Sequence, residues 1–235
     1  MRIDSHVCRS ESHPPAHLKA ILERNRFDGG ILFVDGPLLP AVEAPTLGLV
    51  VRNSPLDAAT LDRYRDHPAV RGVSASLRHG VPDGVEELAR RQLRLDVEME
   101  PGDFPALLDL AGRLPDLAIA IDHLARPDFS QGITPEWARG MEAAAGLPRV
   151  FCKISGLLTG SAALPWSAAP IRPFVQHALT VFGPGRLMFG SEWPVRLPDV
   201  SWKESLAAFT QSIGAQSMEV REQLLGETAR TFYGL

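Results

Sequence analysis

Short apolar runs recur along this chain, each followed by a stretch of helical character, and that alternation is what most limits its fold. Strand-like runs fall at residues 2–7, 31–34, 46–51, 70–76, 93–100, 117–121, 150–155 and 187–190. Period-two patterning or unbroken runs of Val, Ile, Leu and Phe mark them. Helical patterning fills 16–26, 83–92, 103–113, 134–145 and 171–182, and a tail at 202–235 is helical with interruptions. Ser54-Pro55 opens a further helix to Asp66 as a cap and first-turn proline do. Residues 35–44 are proline-rich and leave room for one turn of helix at most. Eight strands with intervening helices specify a (β/α)₈ TIM barrel, compact and short-looped at 235 residues. The competing architecture is an open doubly wound sheet, and no strand is followed by the glycine-rich phosphate loop that such sheets carry.

Glycine and proline, 20 of each, punctuate the whole chain and form no linker, so residues 1–235 read as a single domain. With 24 basic and 28 acidic residues, net charge −4, the chain has no field that would draw nucleic acid or an anionic membrane. A small-molecule partner is the expectation. No run approaches the ~18 apolar residues of a membrane span, and the amino terminus lacks signal-peptide patterning, which points to the cytoplasm. Two cysteines, Cys8 and Cys152, suit a reducing compartment. Nothing in the chain indicates its oligomeric state.

Barrel enzymes place chemistry at the carboxyl ends of their strands. The polar residues there are His6 and Cys8 on the first strand, His123 after the sixth, Ser155 on the seventh and Glu192 after the eighth. Period-two alternation puts Asp4, His6 and Cys8 on one face. An imidazole and a thiolate spaced i, i+2 can share a zinc ion, and closure of the barrel sets Glu192 beside them, giving the ligand set His6, Cys8 and Glu192. Arg126, Arg78 and His79 lie on rim loops, where an arginine could grip a substrate carboxylate. Lys153 points inward below Ser155 and needs an anionic partner, for which Asp4 and Glu98 are in range. Cys152, on the other face, belongs under the helices.

Five stretches carry a family likeness: Ile3-Asp-Ser-His6, Ile121-Asp-His-Leu-Ala-Arg-Pro127, Val150-Phe-Cys-Lys-Ile-Ser-Gly-Leu157, Arg186-Leu-Met-Phe-Gly-Ser-Glu-Trp-Pro194 and Glu227-Thr-Ala-Arg-Thr-Phe-Tyr-Gly-Leu235. In this order they resemble the amidohydrolase-2 family, and within it the lactonase branch typified by 2-pyrone-4,6-dicarboxylate lactonase and sugar lactonases. The resemblance implies a barrel that hydrolyses a lactone or related carbonyl compound. It gives catalytic positions to His6, His123 and Glu192; Arg126, Arg78 and Ser155, from their places at the rim, are the expected substrate-binding residues. The family pattern has His-x-His on the first strand and Gly-Ser-Asp-Trp-Pro after the eighth; here Cys8 replaces the second histidine and Glu192 the aspartate. A divalent ion, zinc for a mixed N, S and O ligand set, is compatible with the branch but not required by it. Two alternatives stay open: a barrel that has lost catalysis and binds a ligand, and a metal-dependent decarboxylase.

Overall fold

A computed structural model describes residues 1–36, 39–40, 42–158, 166–194 and 200–235. Eight parallel strands run in sequence order: β1 (Ile3–Cys8), β2 (Gly29–Asp35), β3 (Thr46–Arg52), β4 (Val70–Ser76), β5 (Arg94–Glu98), β6 (Ile119–Ile121), β7 (Val150–Ile154) and β8 (Leu187–Phe189). They form a nearly closed TIM barrel. Helices α1 (Pro15–Arg24), α2 (Ala58–Asp66), α3 (Glu86–Arg90), α4 (Phe104–Arg113), α5 (Pro135–Ala145), α6 (Arg172–Phe182) and α7 (Trp202–Ile213) follow, with α8 (Met218–Glu222) and α9 (Thr228–Tyr233) at the carboxyl end. The described residues between β2 and β3 carry no helix. Among the described residues, no helix is long and apolar enough to cross a membrane.

The expected boundaries shift where a local bond decides them. Ser54-Pro55 does not open α2; Asp57 caps it by accepting from the Thr60 N–H at 3.0 Å, and the helix starts at Ala58. The Asp103 carboxylate bonds back to the Glu100 N–H at 2.8 Å, so α4 starts at Phe104. Thr134 caps α5 as its sequence suggests.

The core has two parts. The larger lies between strands and helices and includes Leu95, Cys152, Leu187 and Phe189 with Phe174, Phe209 and Trp202. The smaller fills the barrel, where Ile3, Ile31, Phe33, Val50, Ala120 and Met188 meet Phe232 and Tyr233 of α9. Burial of about 25 cal/mol per Å² of apolar surface makes both the principal favourable contribution to folding.

Strict alternation fails in β1. Asp4 pairs with Gly30 but Val7 with Leu32, so three steps on β1 match two on β2. This bulge turns Asp4 away from the barrel, towards α7, where Trp202 Nε1–H donates to Asp4 Oδ2 at 2.7 Å. Asp4 and His6 therefore do not share a face. The seam between β1 and β8 is closed largely by other means. Ser5 Oγ–H donates to the Phe189 carbonyl at 2.6 Å, the Ser191 N–H donates to Asp4 Oδ1 at 2.8 Å, and the Glu192 N–H donates to the His6 carbonyl at 2.8 Å. One bridge joins Val7 to Trp193.

Candidate active site

Glu192 is delivered by a strand that has room to end only one way. At Gly190 a Cβ would sit 2.7 Å from the His6 Cβ and 3.1 Å from that of Ser155, so the missing side chain lets His6 and Ser155 close over β8. The chain then turns, with Glu192 itself in the left-handed region at φ 57°. Its carboxylate is 9% exposed, with Oε1 3.5 Å from His123 Nε2 and 3.6 Å from Arg126 Nη2.

His123 and Arg126 come from an unusual turn. After β6, His123, Leu124, Ala125 and Arg126 all have positive φ, at 54°, 55°, 59° and 45°. Each such residue costs roughly 1 to 2 kcal/mol, and outside glycine they rarely occur in succession. The turn is held from below, where Trp137 Nε1–H of α5 donates to the Leu124 carbonyl at 2.7 Å in a buried bond. Gly156 completes the fit, since a Cβ there would lie 2.9 Å from His123 Nδ1. That ring nitrogen is 2.9 Å from Ser155 Oγ. The orientation of the Ser155 hydroxyl and the His123 tautomer are therefore coupled.

His6 lies 4.7 Å from His123 between ring centroids and stacks on Phe33 at 3.8 Å. Burial pushes the His6 imidazole down to about 4, against the pull of Asp122, whose Oδ1 is 3.6 Å from His6 Nδ1. Burial and the His6 charge likewise hold His123 well below the ordinary histidine range. Both rings are neutral near pH 7.

Beneath them lies a buried charge cluster. Lys153 pairs with Asp122 at 2.8 Å and with Asp96, all three fully buried. Its partners are thus Asp96 and Asp122, not Asp4 or Glu98: Asp4 is turned outward by the bulge, and Glu98 sits at the rim 4.0 Å from Arg126. Tyr233 of α9 donates to Asp96 Oδ1 at 2.8 Å. Burial alone would raise Asp122, yet Lys153 and the histidines hold it well below the usual carboxylate range. Asp96 rises to about 6, because burial outweighs its share of the ammonium. Lys153 itself is raised, its two carboxylates overcoming the burial penalty.

The predicted residues divide accordingly. His6, His123, Ser155, Glu192 and Arg126 converge. Arg78 is 46% exposed and pairs with Glu100 at 2.6 Å. Cys8 is partly exposed, and burial together with the Glu192 charge pushes its thiol up to about 12, so it is a neutral thiol near pH 7. Asp122 was not singled out from sequence, although it sits beside His123 in the sixth-strand motif; a polar residue directly following an apolar run was the available signal.

Among the described residues, His6, Asp122 and His123 form the group whose ligand atoms lie within 4.8 Å of one another. The donor chemistry fits a divalent ion: two neutral imidazoles, an ionised carboxylate, and a buried His123 Nε2 with no hydrogen-bond partner. The Lys153 ammonium beside Asp122 opposes added positive charge and would moderate the affinity.

The comparison with known families decides the assignment. The family model described as Amidohydrolase (Amidohydro_2) matches residues 45–235, most of the chain. The chain belongs to the amidohydrolase family. This amidohydrolase is 33% identical over 153 residues to the L-fucono-1,5-lactonase of Burkholderia ambifaria, covering 61% of its own chain and 51% of that protein. It spans about half the length of the curated relatives it matches. A Burkholderia multivorans amidohydrolase with bound zinc shares its fold at TM-score 0.84 and 23% identity, covering 100% of this chain and 99% of that one. A Pseudomonas putida protein assigned as a 2-pyrone-4,6-dicarboxylic acid hydrolase does so at 0.78 and 24%, covering 99% and 97%. The lactonase-branch resemblance of the sequence agrees with these relatives, and the barrel with their fold.

Proposed function

We propose that this amidohydrolase hydrolyses a small lactone or a related carbonyl compound, with Glu192 as general base. The observation that carries the reading is the Glu192 carboxylate, held at a strand end between His123 Nε2 and Arg126 Nη2. A base must stand within hydrogen-bond reach of the water it activates, in a place that excludes bulk solvent. In the reaction, Glu192 takes a proton from water as the water oxygen adds to the carbonyl carbon. The ring C–O bond then breaks, and the leaving oxygen recovers that proton from Glu192, giving the hydroxy acid.

His6 and His123, neutral and rigidly held, polarise the carbonyl oxygen as it gains charge. Ser155 acts through His123: if its hydroxyl donates to Nδ1, the ring proton lies on Nε2, facing the reacting centre. Arg126 is the better placed of the two arginines to grip a substrate carboxylate, since it already reaches the base. Where a divalent ion is used, zinc by preference, His6, Asp122 and His123 would hold it, and it would supply Lewis-acid polarisation of the carbonyl. This ligand set replaces Cys8 and Glu192 with Asp122 and His123, and it leaves Glu192 available as base.

The test is a panel of small lactones followed by pH-stat, with the wild type and Glu192→Gln. Turnover by the wild type that falls at least ~100-fold in Glu192→Gln supports the reading. Equal turnover in both removes Glu192 as base. No turnover on any lactone favours a ligand-binding barrel, for which the replaced positions Cys8 and Glu192 already speak.

A further inference from the structure

The face opposite the site carries a second feature. A cavity of about 380 Å³ opens at the amino-terminal mouth of the barrel, walled by Arg94 at the start of β5, Arg149 just before β7, and Asp116 just before β6. This end of a TIM barrel ordinarily serves stability and not chemistry, so a basic cleft here calls for a separate explanation.

The two arginines that line the cavity, Arg94 and Arg149, act on each other's charge, with Arg71 nearby. Arg94 is half-buried and fixed by two backbone carbonyls, donating from Nε to Phe232 at 2.8 Å and from Nη1 to Gln92 at 2.6 Å. Those bonds orient the fork without neutralising it. Burial and the neighbouring guanidiniums of Arg71 and Arg149 push Arg94 below the ordinary arginine range. Arg71 has a buried Nε with no hydrogen-bond partner. Two mutually repelling guanidiniums on one cavity, that of Arg94 half-buried and preoriented and that of Arg149 exposed, are a receptor for a group that neutralises them, and their planar forks match oxyanions.

We propose that this mouth binds a small polyvalent oxyanion, a phosphate group or a polycarboxylate, between Arg94 and Arg149. Asp116 on the same wall limits the affinity by like-charge repulsion. Occupancy would also tie β5 to β7 beneath the charge cluster, raising thermal stability.

The experiment is isothermal titration of the full chain with inorganic phosphate and, separately, citrate, at ionic strength held constant with sodium chloride. Arg149→Ala and Asp116→Asn are compared with wild type; both side chains are exposed, so both variants should fold. The expected result is saturable binding of one or both probes, weakened at least about tenfold in Arg149→Ala and tightened in Asp116→Asn. Phosphate without citrate, or the reverse, identifies the class of ligand. Heats indistinguishable from dilution in the wild type, or equal affinities in wild type and Arg149→Ala, overturn the proposal.

Discussion

The Lys153 ammonium stands 2.8 Å from the Asp122 carboxylate with both side chains fully buried. An isolated charge in that position would cost several kcal/mol, and the pair persists because Asp96 and Tyr233 complete it. Lys153→Met should therefore lower stability by about 3 to 5 kcal/mol, leaving two buried carboxylates unpaired. Urea denaturation checks this. Adding Asp96→Asn to Lys153→Met should recover part of the loss, whereas purely additive effects would mean that the cluster is not coupled.

Acid should act on Asp4 and His6 in opposite senses. Burial pushes the Asp4 carboxyl up to about 6, despite bonds from Ser191 and Trp202, so the folded state holds that proton more tightly than the unfolded chain. The Asp4 contribution to stability falls as pH rises from about 4 to about 6. The His6 imidazole, pushed down to about 4, is protonated first in the unfolded chain. Its contribution rises with pH from about 4 to about 6.5. The two slopes offset each other, and Asp4→Asn should expose the histidine slope, steepening the rise by up to about 1.4 kcal/mol per pH unit. Urea midpoints across that window measure it, and an unchanged slope would contradict the burial account.

Trp137 supports the left-handed turn without reaching the site. Trp137→Phe keeps an aromatic ring but strands the buried Leu124 carbonyl, at a cost of about 1 to 3 kcal/mol. Hydrogen exchange should show the amides of residues 123–126 losing protection before the strands do. Uniform loss across the barrel would assign Trp137 to general packing instead.

Zinc binding separates two ligand sets. If His6, Asp122 and His123 hold the ion, His123→Asn and Asp122→Asn should each weaken zinc affinity at least about tenfold, while Cys8→Ser leaves it nearly unchanged. Calorimetry with zinc alone gives the answer without any substrate. A large loss in Cys8→Ser would restore the sulfur ligand.

Cys8→His with Glu192→Asp restores the usual family residues at two positions. Since Glu places its carboxylate one methylene further out, and an error of about 1 Å can cost ~100-fold, the direction of the activity change tells whether the backbone has adjusted to Glu192. Activity that falls in the double variant shows a site tuned to glutamate; activity that appears shows one that had lost its fit.

The strands and their order were legible because buried parallel strands leave long apolar runs, and the end of each run named His6, Ser155 and Glu192. Two features were not. The bulge in β1 has no residue signature in Ile3-Asp-Ser-His6, and it alone decides that Asp4 faces α7 and leaves Lys153 to Asp96 and Asp122. The left-handed turn is equally silent in sequence: His123, Leu124, Ala125 and Arg126 contain no glycine, and only tertiary support from Trp137 makes the conformation tenable. Side-chain partners across the barrel depend on such local offsets, which period-two reasoning smooths over.

At the β1–β8 seam, Asp4 fastens Ser191 and Trp202 while the neighbouring His6 carbonyl fastens Glu192. The same few bonds that shut the cylinder also aim the proposed base. Catalytic alignment and barrel integrity are consequently one mechanical property at this point of the molecule. Selection for a new substrate would have little freedom to move Glu192 by reshaping its own loop, and would find most of its latitude on the far rim, around Arg126 and Arg78.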